Sequence, residues 1–229
     1  MPQGNIVEVE LNNKATMRLP TSAGSNVFTN FSILYRIYVS AQNESGQIQT
    51  SSSALSAINS SLASDYSYIY PSTDVTSTTT NTNVDSIFRS RGYYEMALEG
   101  TDIKTLLDNG SLGKTIVIEC SPIVGSIPTL TVEGGISYNL YRSRGEDYIQ
   151  TDSNRPLPDR YFQNHADLNA GPDNTAKTNL DVAGNSSIGS ASKYTYISLY
   201  VVAVGKDKMA NIFSSPTFIG ILRLPEKSS

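Results

Sequence analysis

The run YTYISLYVVAV at residues 194–204 restricts the fold more than any other stretch of this chain. It is apolar on both of the faces a strand presents, so as a strand it belongs inside a sheet that is covered on both sides. Its tyrosines, isoleucine and valines favour a strand over a helix. Other runs carry the same signal. IVEVEL (6–11) alternates, and so does FSILYRIYVS (31–40), which puts Ile33, Tyr35, Ile37 and Val39 on one face. TIVIEC (115–120), TLTVEG (129–134) and ISYNLYRS (136–143) follow one another closely, and FIGILRLP (218–225) comes last. Each run is bounded by Gly, Pro, Asn or Ser, the residues that end strands and make turns.

Composition agrees with a β-rich fold. Hydrophobic residues make up 38% of the 229 and charged residues only 17%, so Ser, Thr, Asn and Gly carry the polar balance. The 14 Tyr and 6 Phe supply large apolar areas to bury, which argues against a disordered chain. A net charge of −4 argues against a broad nucleic-acid surface and against a polybasic membrane patch. No apolar run approaches the ~20 residues a membrane-spanning helix needs. The single cysteine, Cys120, rules out an intrachain disulfide. It ends an apolar run and reads as a small core residue, because a nucleophile would want a base beside it.

Two short helices are expected. SSALSAINSSLASDY (52–66) spaces Leu55, Ile58 and Leu62 helically, and TDIKTLLDNG (101–110) starts on a capping Thr101 or Asp102 and stops at Asn109-Gly110. Two polar stretches read as loops: the Thr/Asn run at 73–83 and the much longer connection from Arg144 to Lys193. An irregular connection of that length is uncommon in a domain and is the best position for partner contacts. Arg155, Arg160, Tyr161 and Phe162 within it are the expected contact residues. Deleting 150–190 is expected to leave a folded β-protein that no longer binds.

ISYNLYRS repeats ILYRIYVS: Ile33/Ile136, Tyr35/Tyr138, Tyr38/Tyr141 and Ser40/Ser143 match across a separation of 103 residues. ISYNLYRSRG resembles the third strand of fibronectin type III-like domains. KYTYISLYVVAVGKDKMANIFSSP (193–216) is similar to their sixth strand and its exit, through Tyr200, Val202, Ala203, Val204, Asn211, Ser215 and Pro216. The resemblance covers roughly a third of the chain. It implies an immunoglobulin- or fibronectin III-like β-sandwich, an architecture that serves many functions. The chain departs from the family in having no Trp, and in showing one clear strand between Cys120 and Ile136 where a complete domain wants two. Residues 1–229 are therefore expected to form one composite unit, with tandem sandwiches at 1–125 and 126–229 as the alternative.

Chemical motifs are weak. His165 is the one histidine and has no nucleophile motif near it. DNGSLGKT (108–115) lacks the first glycine of a phosphate loop and sits between a helix and a strand in the wrong order. SASK (190–193) abuts a strand and has no companion motifs. In DLNAGPD (167–173), Asp167, Asn169 and Asp173 fall at alternate positions and Asp181 could close a loose calcium site; the closing Glu is absent, and an Asx-rich turn is the competing reading. Calcium is the one cofactor the residues admit. Glu95, Glu99, Glu119 and Glu133 lie on or near strands with no pattern that pairs them. RSRG occurs at 89–92 and 142–145, either as a strand end with solvated arginines before a Gly turn, or as two Arg pairs gripping an anion.

The functional expectation is a non-catalytic binding or structural module outside the cytoplasm of a bacterium. It would sit at the periplasm or cell surface and meet a protein or glycan partner, with a lipid anchor carried on a segment preceding this sequence. A carbohydrate-active or other hydrolase, with acids converging from 144–193, and a structural subunit of a surface assembly are the alternatives.

Overall fold

The computed structural model describes residues 3–4, 6–11, 27–40, 88, 92–121, 126–142, 162, 181–182, 194–207, 210–213 and 216–224. Eleven strands run in chain order: β1 (Gln3–Gly4), β2 (Ile6–Glu10), β3 (Val27–Ser40), β4 (Tyr94–Glu95), β5 (Ala97–Leu98), β6 (Thr115–Glu119), β7 (Thr129–Val132), β8 (Ser137–Tyr141), β9 (Tyr194–Asp207), β10 (Ala210–Phe213) and β11 (Thr217–Arg223). They form two sheets, one ordered β1-β11-β9-β3-β4 with β10 also on β9, the other β2-β6-β7-β8-β5. Pairing is antiparallel except between β1 and β11. The architecture is mainly β, two sheets across a shared core, compatible with a β-sandwich.

The longest strand pair is the one the sequence most demands. β3 and β9 run side by side from Val27 opposite Lys206 to Ser40 opposite Tyr194. Ile33, Tyr35 and Ile37 of β3 and Ile197, Leu199, Val201 and Ala203 of β9 face the core. On the other face of β9, Tyr196, Ser198, Tyr200, Val202 and Val204 are buried as well, so this strand is covered on both sides as its unbroken apolar run predicts. Burying one such aliphatic side chain completely contributes about 1.5–3 kcal/mol before entropy is counted.

The second sheet behaves differently. Along β6 the burial alternates, with Ile116 and Ile118 inward and Glu119 exposed. Its outer face carries Glu8, Glu10, Glu119 and Glu133 toward water. Cys120 is buried against this core. Burial, then the neighbouring Glu119 charge, push its thiol up to about 11, so it stays protonated and inert near neutrality. Native protein at pH 8 is expected to resist a thiol reagent and to react fully once unfolded in guanidinium. Rapid modification of native protein would place Cys120 at the surface.

Both ends of each sheet are strands that change sheets. β1 pairs with β11, and after one residue the chain enters β2 and pairs with β6. β4 pairs with β3, and after Met96 the chain enters β5 and pairs with β8. The Met96 amide bonds the Ile33 carbonyl at 2.8 Å, holding the corner against β3. Among the described residues the chain thus joins the two sheets at both sides, which shortens the exposed edges, while β10 pairs with β9 alone. At the first corner β11 bulges between Phe218 and Gly220, and Gly220 adopts φ +154 against Val7 of β2.

Helical structure is slight among the described residues. α1 (Ile103–Leu106) is capped by Asp102, whose side chain accepts from the Lys104 amide. The expected helix over 101–110 breaks after Leu107 because the Asp108 carboxylate accepts the Gly110 amide and starts a separate 3-10 turn, Asn109–Ser111. The helix expected at 52–66 and the Thr/Asn loop at 73–83 lie outside the described residues.

Candidate functional site

The strands that repeat one another, β3 and β8, flank the corner strand from opposite sides: Tyr35 pairs with Tyr94 and Tyr141 with Ala97. Their matched positions are not equivalent in burial. Ile33 is fully buried whereas Ile136 is 69% exposed at the start of β8. ISYNLYRS and YTYISLYVVAV, the stretches that carry the fibronectin-like resemblance, fall in different sheets, and the strands beside β9 are β3, β11 and β10.

β8 runs inward and delivers Arg142 into the core at 4% exposure. There its guanidinium meets Asp181, which is completely buried. Nε donates to Oδ2 at 2.8 Å and Nη2 to Oδ1 at 2.6 Å, a bidentate pair. The Tyr35 hydroxyl donates to the same Oδ2 at 2.9 Å. The Ile37 amide donates to the Asp181 carbonyl at 2.9 Å, and Ile37 and Val182 form a one-residue parallel bridge. The Phe162 ring stands edge-on to Tyr35, centroids 4.9 Å apart. Burial alone would lower the Arg142 pKa; the charge and hydrogen bonds of Asp181, with Tyr35, outweigh it and raise the pKa overall.

These contacts reassign several expected residues. Arg142 is no solvated strand-end arginine. It grips a carboxylate, and the carboxylate belongs to its own chain. Asp181, expected as the closing ligand of a loose calcium site, has both oxygens committed to Arg142. Asp167, Asn169 and Asp173 lie outside the described residues, and among those described no three acidic, His or Cys side chains gather into a metal site. Of the expected partner contacts, Arg155, Arg160 and Tyr161 lie outside the described residues, while Phe162 is 3% exposed and packs the core. The 150–190 deletion therefore cannot be a clean loop removal: it takes Phe162, Asp181 and Val182 out of the core and leaves Arg142 buried without its carboxylate.

The aromatic side chains of the first sheet form a second cluster, on its outer face. The Arg36 guanidinium lies 5.5 Å from the Tyr38 ring and 5.4 Å from the Tyr93 ring. The two hydroxyls are 3.3 Å apart, Tyr93 meets Tyr200 edge-on at 5.4 Å, and Tyr200 meets Phe218 at 5.3 Å. Tyr38, Tyr93 and Tyr200 are buried, so they serve packing and cation–π contact here and not as open platforms for a sugar.

The glutamates considered for acid–base work are separately engaged. Glu95 takes the Ser32 hydroxyl and sits 3.3 Å from Lys104. Glu99 accepts from Asn139 and Glu133 accepts the Thr115 amide, while Glu119 is exposed on β6, its backbone opposite Ile6, and the four are brought to no common cleft among the described residues. Among the described residues Ile6 and Ile136 are the exposed large hydrophobics. They are separated by β6 and β7, about 14 Å of sheet, and make no continuous patch.

Comparison with known proteins leaves the site to speak for itself. No family model, curated protein or solved structure matches the chain.

Neither Arg142 with Asp181 nor the placement of Phe162 was identifiable as a pair in the sequence, because 39 residues separate the two charges. The available signal was an arginine directly ending an apolar strand, and a lone phenylalanine in a polar run. Tyr35→Phe is expected to keep the fold and cost about 1–2 kcal/mol, the loss of one hydrogen bond to a charged acceptor that keeps its other partners. Urea unfolding measures it, and a cost near zero would show that the hydroxyl does not donate to Asp181.

Proposed function

We propose that this chain is a non-catalytic binding or structural module of the bacterial cell envelope, acting outside the cytoplasm, possessing a fibronectin III-like sandwich in which residues 1–229 form one unit. Its partner, a protein or an envelope glycan, meets the 144–193 connection. The observation that carries this reading is the anchoring of that connection: it leaves β8 at Arg142, touches the core at Phe162 and returns to β3 at Asp181 and Val182. A long polar stretch tied to a rigid sheet at fixed points is the usual way a scaffold presents binding residues. Within this reading the contacting residues are Arg155, Arg160 and Tyr161, and Phe162 is the buried anchor next to them in the chain. The two corners support a self-contained module over a subunit that shares strands, because the chain passes directly from an end strand of one sheet to an end strand of the other.

The test compares the parent with an Arg155→Ala/Arg160→Ala/Tyr161→Ala variant, in which Phe162 and Asp181 remain. Both are mixed with isolated bacterial envelopes and sedimented. The parent is expected in the pellet and the variant in the supernatant, with the same circular dichroism. Equal sedimentation of the two would place the contact elsewhere. Release of reducing sugar from the envelopes by the parent would favour the hydrolase reading.

A further inference from the structure

We infer that Arg142 and Asp181 are a register lock: they fix which residue of the returning chain lies beside Ile37 of β3. The inference concerns the anchor and not the partner, so it stands whether or not the binding reading above holds. Among the described residues the returning segment meets β3 through one parallel bridge, Ile37 with Val182, and one backbone hydrogen bond, from the Ile37 amide to the Asp181 carbonyl. A single bridge specifies register poorly, and a slip of one residue reverses which side chain faces inward. Apolar packing at this point would tolerate such a slip, since any β-branched or aliphatic side chain fills similar space. A buried carboxylate does not tolerate it. Asp181 receives three donors, Nε and Nη2 of Arg142 and the Tyr35 hydroxyl, from two different strands. Shifting the segment by one residue in either direction would pull the Asp181 carboxylate away from the guanidinium and the hydroxyl inside the core. Buried ion pairs add little stability over apolar residues of the same volume, and fixing register is their best-attested use. Arg142 and Asp181 are thus positioning residues for the end of the long connection.

Two variants test the lock, read by the Ile37 amide in nitrogen-15 NMR and by its hydrogen exchange. In Arg142→Met with Asp181→Leu, the protein is expected to unfold at a temperature equal to or above the parent's, while the Ile37 resonance splits into more than one species or loses most of its protection. A single Ile37 resonance as protected as the parent's would overturn the lock. In Asp181→Val with Val182→Asp, the carboxylate is moved one place along the chain. The segment is expected to slip by one residue so that the relocated carboxylate still meets Arg142, and the Ile37 amide then bonds the carbonyl of position 182, visible in through-space contacts. An unchanged register in this variant would also overturn the lock, and it decides the matter should the apolar double variant not fold.

Discussion

Replacing Asp181 alone by leucine is expected to lower the unfolding free energy by about 3–5 kcal/mol, because it takes the Asp181 carboxylate away from a buried guanidinium. For a chain of this size that corresponds to a fall in melting temperature of roughly 6–20 °C. Arg142→Met should cost a similar amount, from the opposite side: it leaves a carboxylate with the Tyr35 hydroxyl as its remaining side-chain donor among those seen here. The magnitude rests on burial, since the Arg142 and Asp181 side chains are 2% and 0% exposed. At the surface the same pair would be worth about 0–1 kcal/mol. Urea titration of both single variants and of the Arg142→Met/Asp181→Leu double variant gives the comparison. The singles should be strongly destabilised and the double restored close to the parent. Single variants losing less than about 1 kcal/mol would mean that water reaches the pair and that the connection is not anchored in the core.

Gly220→Ala is the second large effect, at about 2–6 kcal/mol. Two penalties combine. A φ of +154 lies in a region that L side chains rarely occupy, which costs on the order of 1–3 kcal/mol. A methyl group there would also lie 2.6 Å from Cγ2 of Val7, and overpacking of a core contact adds about 1–3 kcal/mol. The two can be separated by a double-mutant cycle. Val7→Ala removes the branched carbon that the new methyl would strike, so Gly220→Ala should cost measurably less in that background. Equal costs in both backgrounds would assign the whole effect to the backbone, and the close approach of β11 to β2 would have to be looser than described.

What could be read in advance follows from how far each interaction reaches along the chain. The unbroken apolar run of β9 is a local pattern and reports burial correctly: Ile197 and Leu199 face the core, Tyr196 and Tyr200 the opposite side, and all are buried; the alternation of β3 places Ile33, Tyr35 and Ile37 inward but misses that Ser32, Leu34 and Tyr38 on the other face are buried too. Strand partners are not local. The similarity of ILYRIYVS to ISYNLYRS says nothing about which of them lies next to β9, and the corner at Met96 was invisible because β4 and β5 are two residues each. Asp181 looked like a calcium ligand because spacing counts oxygen atoms without knowing what already occupies them. Phe162 looked exposed because its neighbours are polar, whereas burial is decided by the ring's own contact with Tyr35.

The β3–β9 ladder sets a delay on the ribosome. Its partners lie far apart in the chain; the hydrogen bond from Ser198 to the Arg36 carbonyl spans 162 residues. At roughly 5–20 residues per second, β3 emerges about ten to thirty seconds before the strand it pairs with. Through that interval the edge of this Ile- and Tyr-rich segment that β9 will cover stays open, although β4 can already reach the other edge, and the open edge exposes the nascent chain to association with other chains. A chaperone that holds extended apolar strands should therefore be needed early in synthesis and become dispensable once β9 has left the exit tunnel.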